Sequence, residues 1–216
     1  MILTDKISVD IISDVMCPWC VVGYKCFEQA LKELGVEDKF QITWHPFELN
    51  PDISDEGEEL LAHLSKKYGM TIQQAKDTQD KFKEAFDEVG FPFSSNDTRR
   101  MVKTIDAHIL LDFAKNSGKQ TELKLALFEA HFAQNKDVSK KDVLEEIVKS
   151  VGLDTTKAMA KLDDPESRGN IKDKEMFWLQ RGINTVPTIV FNQNSMINGA
   201  YPVESYKQII TDLLKK

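Results

Sequence analysis

Apolar residues alternate with polar ones near the start of the chain and then recur at helical spacing. Residues 6–13 show the alternation, which predicts a β-strand. Over residues 18–34 apolar side chains recur every three or four positions, which predicts an α-helix with Gly35 as its C-cap. Residues 40–44 predict a second strand. The chain therefore opens as β-α-β.

After residue 50 the pattern changes to successive helical segments separated by glycine- and proline-containing turns. These predicted helices cover residues 58–68, 72–89, 98–115, 120–134 and 140–151. The acidic run at residues 55–59 is interpreted as the first turn and solvated face of one of them.

The end of the chain returns to a mixed pattern. It predicts a helix at 165–181, two short strands at 188–191 and 195–198, and a closing helix at 203–214. The simplest interpretation is an α/β fold with a large all-helical insertion. Residues 1–52 and 165–216 would form one discontinuous domain, and residues 53–164 would form the insertion.

Composition narrows the classes of partner. The chain has 216 residues, 28 Lys and Arg against 35 Asp and Glu, and a formal charge of -7. This balance argues against nucleic acid or an anionic membrane as the main partner, because both need a basic face. No apolar run approaches the roughly 18 residues of a membrane helix, and residues 1–6 lack the features of a secretory signal. We therefore expect a cytoplasmic protein.

Two of the three cysteines form the segment Cys17-Pro18-Trp19-Cys20 at the predicted start of the first helix. A thiolate is the nucleophile in disulfide exchange, and backbone N–H groups at a helix N-terminus stabilise it. Such a position can lower a cysteine pKa from about 8.5 into the range ~3.5–7.5. The spacing predicts Cys17 as an exposed nucleophile and Cys20, one turn later, as the buried resolving thiol.

Two other interpretations of the cysteine pair remain open. The pair could be half of a zinc site, but tetrahedral zinc takes four ligands and the sequence has no second C-x-x-C or close histidine pair. We therefore expect no metal. The two thiols could also be buried bystanders. Cys26, which lies on another face of the helix, is interpreted as a packing residue.

Far along the chain, Val186-Pro187 immediately precedes a predicted strand. Proline cannot donate to a β-ladder and belongs at a strand start, and an X–Pro bond takes the cis form at low cost. In a chain with an N-terminal C-x-x-C, this Val-Pro pair argues against a zinc site and against bystander cysteines.

The combination resembles the DsbA-like branch of the thioredoxin superfamily, and more closely its FrnE subgroup. Four segments spread over nearly the whole chain carry the resemblance: residues 13–20, 46–52, 106–111 and 182–187. It implies a thioredoxin-like fold with a helical insertion, disulfide oxidoreductase or isomerase activity, and a cis bond at Pro187. The family is related to 2-hydroxychromene-2-carboxylate isomerases and kappa-class glutathione transferases, which typically carry serine where this chain has Cys17.

The resemblance makes Cys17, Cys20 and Pro187 the expected catalytic residues. Pro18, Trp19 and Val186 are the expected substrate-binding residues, with Trp19 on an exposed rim. DsbA-like motifs usually have histidine where this chain has Trp19, and indole offers one neutral donor and no positive charge. A partly stabilised thiolate and an intermediate redox potential are therefore expected, which favours reductase or isomerase activity over strong oxidation.

Two histidines near these segments, His45 and His108, are interpreted as structural: a capping or surface residue, and a partly buried residue with its hydrogen bonds satisfied. Three functions remain open. The first is dithiol–disulfide exchange on protein or small-molecule substrates, without a bound cofactor and with glutathione as a possible co-substrate. The second is a glutathione-dependent transferase or isomerase. The third is a thioredoxin-like binding module without catalysis.

Overall fold

The computed structural model describes residues 6–94 and 98–215. Residues 1–5 and 216, which the sequence assigns to the discontinuous domain, lie outside the described residues. The elements of the sheet region are β1 (Ile7–Ser13), α1 (Pro18–Leu34), a short 3-10 turn (Glu37–Lys39) and β2 (Phe40–Pro46). The middle of the chain contains β3 (Glu58–Glu59), α2 (Leu60–Tyr68), α3 (Ile72–Glu88), β4 (Arg100–Met101), α4 (Ile105–Lys115), α5 (Gln120–Phe132), α6 (Lys141–Ser150) and α7 (Thr155–Asp163). The chain ends with α8 (Pro165–Leu179), β5 (Thr188–Phe191), β6 (Ser195–Asn198) and α9 (Val203–Leu214).

A four-stranded sheet in the order β2-β1-β5-β6 forms the frame. β1 pairs in parallel with β2 and antiparallel with β5, and β5 pairs antiparallel with β6. Successive side chains of β1 point to opposite faces: Ile11 packs with α1 and α9, whereas Ile12 packs with Trp178 of α8. The expected α/β, thioredoxin-like frame with a large helical insertion is confirmed.

Local chemistry explains the limits of α1, the helix that begins in the cysteine motif. Proline at its first helical position loses no hydrogen bond, because that N–H has no partner within a helix. Gly35 ends the helix with φ 63°, in the left-handed region that favours glycine. Both ends are where the sequence predicts them.

The helical middle of the chain has its own apolar core. Helix α4 lies at its centre and packs against α5, α7 and α8. Helix α8, which the sequence assigns to the sheet domain, therefore contacts both the insertion and β2. The exact division at residues 53 and 165 stays a prediction.

A buried polar contact joins the insertion to the sheet. The Gln120 side chain accepts a hydrogen bond from the backbone N–H of Trp44 at 2.8 Å and donates to the Trp44 carbonyl at 3.0 Å. The Trp44 indole N–H donates to the Thr121 hydroxyl at 3.0 Å. Because β2 is an edge strand, the first residues of α5 satisfy backbone groups that the sheet leaves unpaired.

Three predictions of secondary structure in the insertion were wrong. Helix α7 was not predicted, although Asp154 caps it by accepting a hydrogen bond from the Lys157 N–H at 3.1 Å. The helix predicted at residues 98–115 begins only at Ile105. Its first part instead forms β4, which pairs with β3, an element that the sequence also missed. Tertiary pairing overrides helical spacing there.

The core between the sheet and α1 gives a test of the fold. Phe27 is fully buried, and its ring contacts those of Phe40, Phe191 and Tyr206. Phe27→Ala should lower the free energy of unfolding by about 3–5 kcal/mol, because the cavity does not fully collapse. Urea unfolding followed by circular dichroism measures this. The half-exposed Phe177 is the control: Phe177→Ala should cost about 1 kcal/mol or less, and equal losses would contradict the assignment of the core.

Candidate active site

The cysteine motif lies where β1 passes into α1. Cys17 is the N-cap residue of α1, with extended backbone dihedrals (φ -90°, ψ 111°), and no side chain caps the helix. The Cys17 backbone N–H donates to the Asp14 carbonyl at 3.2 Å, which closes the connector between strand and helix. The first N–H groups of α1 therefore face the Cys17 position, as the sequence predicts.

Both motif cysteines are free thiols, and both are buried: Cys17 is 4% exposed and Cys20 is 1% exposed. The prediction of an exposed Cys17 was wrong, because helices α2 and α3 of the insertion stand over the motif and the local pattern gave no sign of this. A difference between the two thiols remains. Cys17 lines a cavity that opens between the motif and the insertion, whereas Cys20 lies behind it.

The Val186–Pro187 peptide bond is cis, as expected. The Cys17 thiol donates to the Val186 carbonyl oxygen across 3.6 Å, so the fold brings together two segments that are 169 residues apart in sequence. Gly23 of α1 makes this approach possible. A Cβ atom at Gly23 would lie 3.3 Å from Pro187 Cγ and 3.3 Å from Ala200 Cβ.

The cavity beside Cys17 has a volume of about 380 Å³ and is walled by the motif on one side and by α2 and α3 on the other. Trp19 is 45% exposed at its rim, as predicted, and the edge of its ring contacts Phe82 of α3 at a centroid distance of 5.4 Å. Pro18 and Val186 also line it. The space beside Cys17 is therefore largely apolar.

Most polar side chains of the cavity wall come from the insertion. His63 of α2 bonds through Nδ1 to a Glu58 carboxylate oxygen at 2.6 Å, and its buried Nε2 has no partner in the part of the chain that the structure describes. Arg99 donates to Gln79 at 2.7 Å. Burial, followed by the charge of Arg99, lowers the pKa of His131 to about 3, so His131 is neutral. Among the described residues that line this cavity, none is acidic.

The surroundings shift the pKa values of the two thiols in opposite directions. The neighbouring Cys20 thiol, followed by burial, raises the pKa of Cys17 well above its usual value. Burial also raises the pKa of Cys20, but hydrogen bonds from Cys17 and Ser13 and the charge of Lys124 outweigh it, so the pKa of Cys20 is lowered. The expectation of a lowered Cys17 pKa was therefore wrong.

Asp14, in the connector before the motif, is a buried carboxylate. It accepts from the backbone N–H of Leu49 at 2.7 Å and of Met16 at 3.4 Å. Burial raises the pKa of Asp14, but His108, the Leu49 N–H and the charge of Lys124 together lower it by more. The net pKa is therefore lowered, and Asp14 is ionised. The negative charge of Asp14 disfavours the thiolate form of Cys17 and so contributes to the raised pKa of that thiol.

The other predicted residues take structural positions. His45 bonds through Nε2 to Asp10 at 2.7 Å and contacts the Trp178 ring, away from the thiols. His108 is buried, with Nε2 3.6 Å from an Asp14 oxygen. Cys26 is buried in the core beside α1. His45 and Cys26 fit the interpretation of structural and packing residues. The expectation that His108 has its hydrogen bonds satisfied was wrong, because its buried Nε2 has no hydrogen-bond partner among the described residues.

Comparison with known proteins decides the family. The model of the DsbA-like thioredoxin domain matches residues 8–211. The chain belongs to the DsbA-like thioredoxin-domain family. A crystal structure of a probable DsbA oxidoreductase from Streptomyces coelicolor is 30% identical, with a TM-score of 0.91 over 97% of this chain and 91% of that one. The uncharacterized protein YwbO of Bacillus subtilis is 27% identical over 97% of this chain and 98% of its own length.

Two more distant structures share the DsbA-like fold. The cytosolic disulfide reductase DsbM from Pseudomonas aeruginosa, solved with GSH, has a TM-score of 0.66 at 13% identity, over 97% of this chain and 100% of that one. A 2-hydroxychromene-2-carboxylate isomerase has a TM-score of 0.67 at 13% identity, over 96% of both chains. The DsbA-like fold of this chain is therefore common to oxidoreductases and isomerases.

The sequence did not identify two residues of this DsbA-like site, His63 and Lys124. Both belong to the insertion, and both lie on helices whose spacing only marks them as buried or partly buried positions. Nothing in the local pattern places them beside Cys17 or Cys20. A signal existed for Lys124 alone, because it stands among the apolar residues of a predicted helix.

Alkylation tests which of the three thiols a reagent can reach from the cavity. Cys17 should react with iodoacetamide faster than Cys20 or Cys26, because of the three only Cys17 lines the cavity. Brief labelling near neutral pH, followed by mass mapping of the adducts, measures the order. The Cys26→Ser protein serves as the control and should label at the wild-type rate. Faster labelling of Cys26 or Cys20 would contradict the assignment.

Proposed function

We propose that the chain catalyses thiol–disulfide exchange on protein or small-molecule substrates, with Cys17 as nucleophile and Cys20 as resolving thiol. One observation carries the proposal. The Cys17 sulfur lies at the cavity, 3.6 Å from the carbonyl oxygen that precedes the cis-proline, with Cys20 one helical turn behind it. The membership in the DsbA-like family supports the same chemistry.

In the proposed reaction the Cys17 thiol first gives its proton to water and becomes a thiolate. The Cys17 thiolate attacks one sulfur of a substrate disulfide, and the other sulfur leaves as a thiolate that takes a proton from water. The product is a mixed disulfide on Cys17. Cys20 then gives its proton to water, and its thiolate attacks the Cys17 sulfur. The Cys17–Cys20 bond forms, the bond between Cys17 and the substrate sulfur breaks, and that sulfur leaves as a thiolate that takes a proton from water. The substrate is reduced and the protein dithiol is oxidised.

The residues around Cys17 have separate roles in this reaction. The Val186 backbone lies beside the sulfur and can pair with an extended substrate, and Pro187 holds that backbone at the strand start. Pro18 begins the helix that presents the sulfur, and the exposed indole of Trp19 offers apolar contact at the rim. The buried, unpartnered Nε2 of His63 is available to a polar group of the substrate.

Reduction or isomerisation is the proposed direction in a cytoplasm. A thiolate exists only in the reduced protein, so a group that stabilises the thiolate makes the disulfide more oxidising. Here the Cys17 pKa is raised, and Trp19 adds no positive charge. Among the described residues no helix is both long and apolar enough to cross a bilayer. A cytoplasmic location is proposed because a glutathione-buffered compartment would supply the reducing electrons.

Glutathione-dependent transfer or isomerisation is the second candidate. The observation that favours it is the narrow cavity, which suits a small thiol better than a folded protein, together with its wall of His63, Lys67 and Arg99 without acidic residues. The related fold of DsbM was solved with GSH. Glutathione would act as co-substrate, with no other cofactor.

Substitution of the two thiols separates these functions. Cys17→Ser and Cys20→Ser should each abolish turnover of a disulfide substrate, while Cys26→Ser should keep it. Cys20→Ser should also accumulate a mixed disulfide at Cys17, because the resolving attack is lost. Mass spectrometry of the trapped adduct measures this. Activity with glutathione that is indifferent to Cys20 would favour the second candidate, and a protein inert in every assay would be a binding module.

Equilibration with glutathione buffers tests the direction. The midpoint potential should be intermediate, clearly below the value of about -120 mV for DsbA but above about -220 to -260 mV, the poise of a glutathione-buffered cytoplasm, at which the protein is then mostly reduced. Quenching with a thiol-specific reagent and counting modified cysteines by mass gives the reduced fraction. A potential near -120 mV, as oxidising as that of DsbA, would contradict the proposal.

A further inference from the structure

A lysine is fully buried behind the cysteine motif. Lys124 of α5 is 0% exposed, among the largest wholly buried side chains of the described chain. Its Nζ lies 5.3 Å from the Trp44 ring centroid and 5.0 Å from that of Phe128. Lysine is almost never fully buried unless its charge is paired, because removing an ammonium from water costs several kcal/mol.

The partners of Lys124 in the reduced protein are few. Its Nζ donates to the Ser13 carbonyl oxygen at 3.4 Å. Among the described residues, no carboxylate oxygen lies within ion-pair distance of it. Asp14, an acid whose charge acts on Lys124, already accepts from two backbone N–H groups and faces His108. The ammonium therefore lacks the direct ion pair that its burial would ordinarily require.

The ionisable groups that face Lys124 are Cys20, Asp14 and Cys17, in that order of interaction. Burial lowers the pKa of Lys124 to about 8, and these three groups oppose the decrease. Ser13 links the two groups: its side chain lowers the pKa of Cys20, and its carbonyl oxygen accepts from the Lys124 ammonium.

We propose that Lys124 is the counter-ion of the Cys20 thiolate, the charge that the resolving step must create in the protein interior. The inference rests on the proposed exchange function and deepens it. Lys124 does not line the cavity, so it meets no substrate and acts through Cys20 as a positioning residue.

The step that Lys124 assists begins from the mixed disulfide between Cys17 and a substrate sulfur. Cys20 gives its proton to water and becomes a thiolate beside the Lys124 ammonium. The thiolate attacks the Cys17 sulfur, the Cys17–Cys20 disulfide forms, and the bond between Cys17 and the substrate sulfur breaks. The electron pair leaves on the substrate sulfur, which takes a proton from water. The ammonium keeps its proton throughout.

A two-phase reaction measures this step separately from the first attack. In a Cys26→Ser background, excess protein reacts with a symmetric nitrothiobenzoate disulfide, which releases one coloured thiolate when Cys17 attacks and a second when Cys20 resolves. Lys124→Met should slow the second phase by about tenfold near neutral pH. It should also raise the midpoint of the pH profile of that phase by about 1–3 pH units. A facing positive charge lowers a thiol pKa by such an amount, and the substitution removes that charge. The first phase should change much less.

Matched variants control the interpretation. Lys149→Met removes the same charge from an exposed position on α6 and should leave both phases unchanged. Lys124→Arg keeps the charge and should restore the wild-type midpoint. A Lys124→Met protein with the wild-type midpoint, or one in which both phases slow equally, would overturn the proposal. Absence of a second phase in the wild-type protein would instead overturn the exchange function itself.

A measurement without substitution at Lys124 covers the case in which the variants do not fold. In the Cys17→Ser, Cys26→Ser protein, Cys20 is the single thiol. Its titration, followed by ultraviolet thiolate absorbance, should have a midpoint below the usual value of about 8.5, and the Lys124 side-chain resonances should shift at the same pH. A Cys20 midpoint at or above the usual value would overturn the proposal.

Discussion

The hydrogen bonds between the Gln120 amide and the backbone of Trp44 attach the insertion to the edge of the sheet. They satisfy the unpaired groups of the edge strand β2, and they do so at the first turn of α5. One turn further along that helix is Lys124, and Phe128 follows after another. The position of the buried lysine behind Cys20 thus depends on an amide that completes a sheet edge.

The insertion changes the chemistry of a motif that it does not contain. It places helices over Cys17, so that the sulfur faces a cavity rather than open solvent. It also supplies the positive charge near Cys20, whereas Asp14 in the connector supplies a negative one near Cys17. The asymmetry between the two thiols therefore comes from tertiary contacts as well as from their positions on α1.

The frame and the reactive pair were predictable because local rules determine them. Alternation marks β1, proline and glycine mark the ends of α1, and Cys17 and Cys20 take their positions from that helix. The burial of Cys17 and the roles of His63 and Lys124 were not predictable. They depend on how α2 and α5 pack on the sheet, and a charged residue within a helical pattern does not reveal which distant thiol it will face. The helix predicted before Ile105 was wrong for a similar reason, because β4 pairs there with β3, which lies some forty residues earlier in the chain.

The close approach at Gly23 has a consequence for binding. Helix α1 carries the thiols, and the Pro187 loop carries the carbonyl beside them; the two segments touch through Gly23 with no side chain between them. Their separation is therefore set by backbone and ring atoms, which have no rotamers to lose. A substrate strand that docks along Val186 meets an edge already fixed when the chain folds. The loss of conformational entropy that orders this edge occurs when the protein folds, so it does not reduce the affinity for each new substrate.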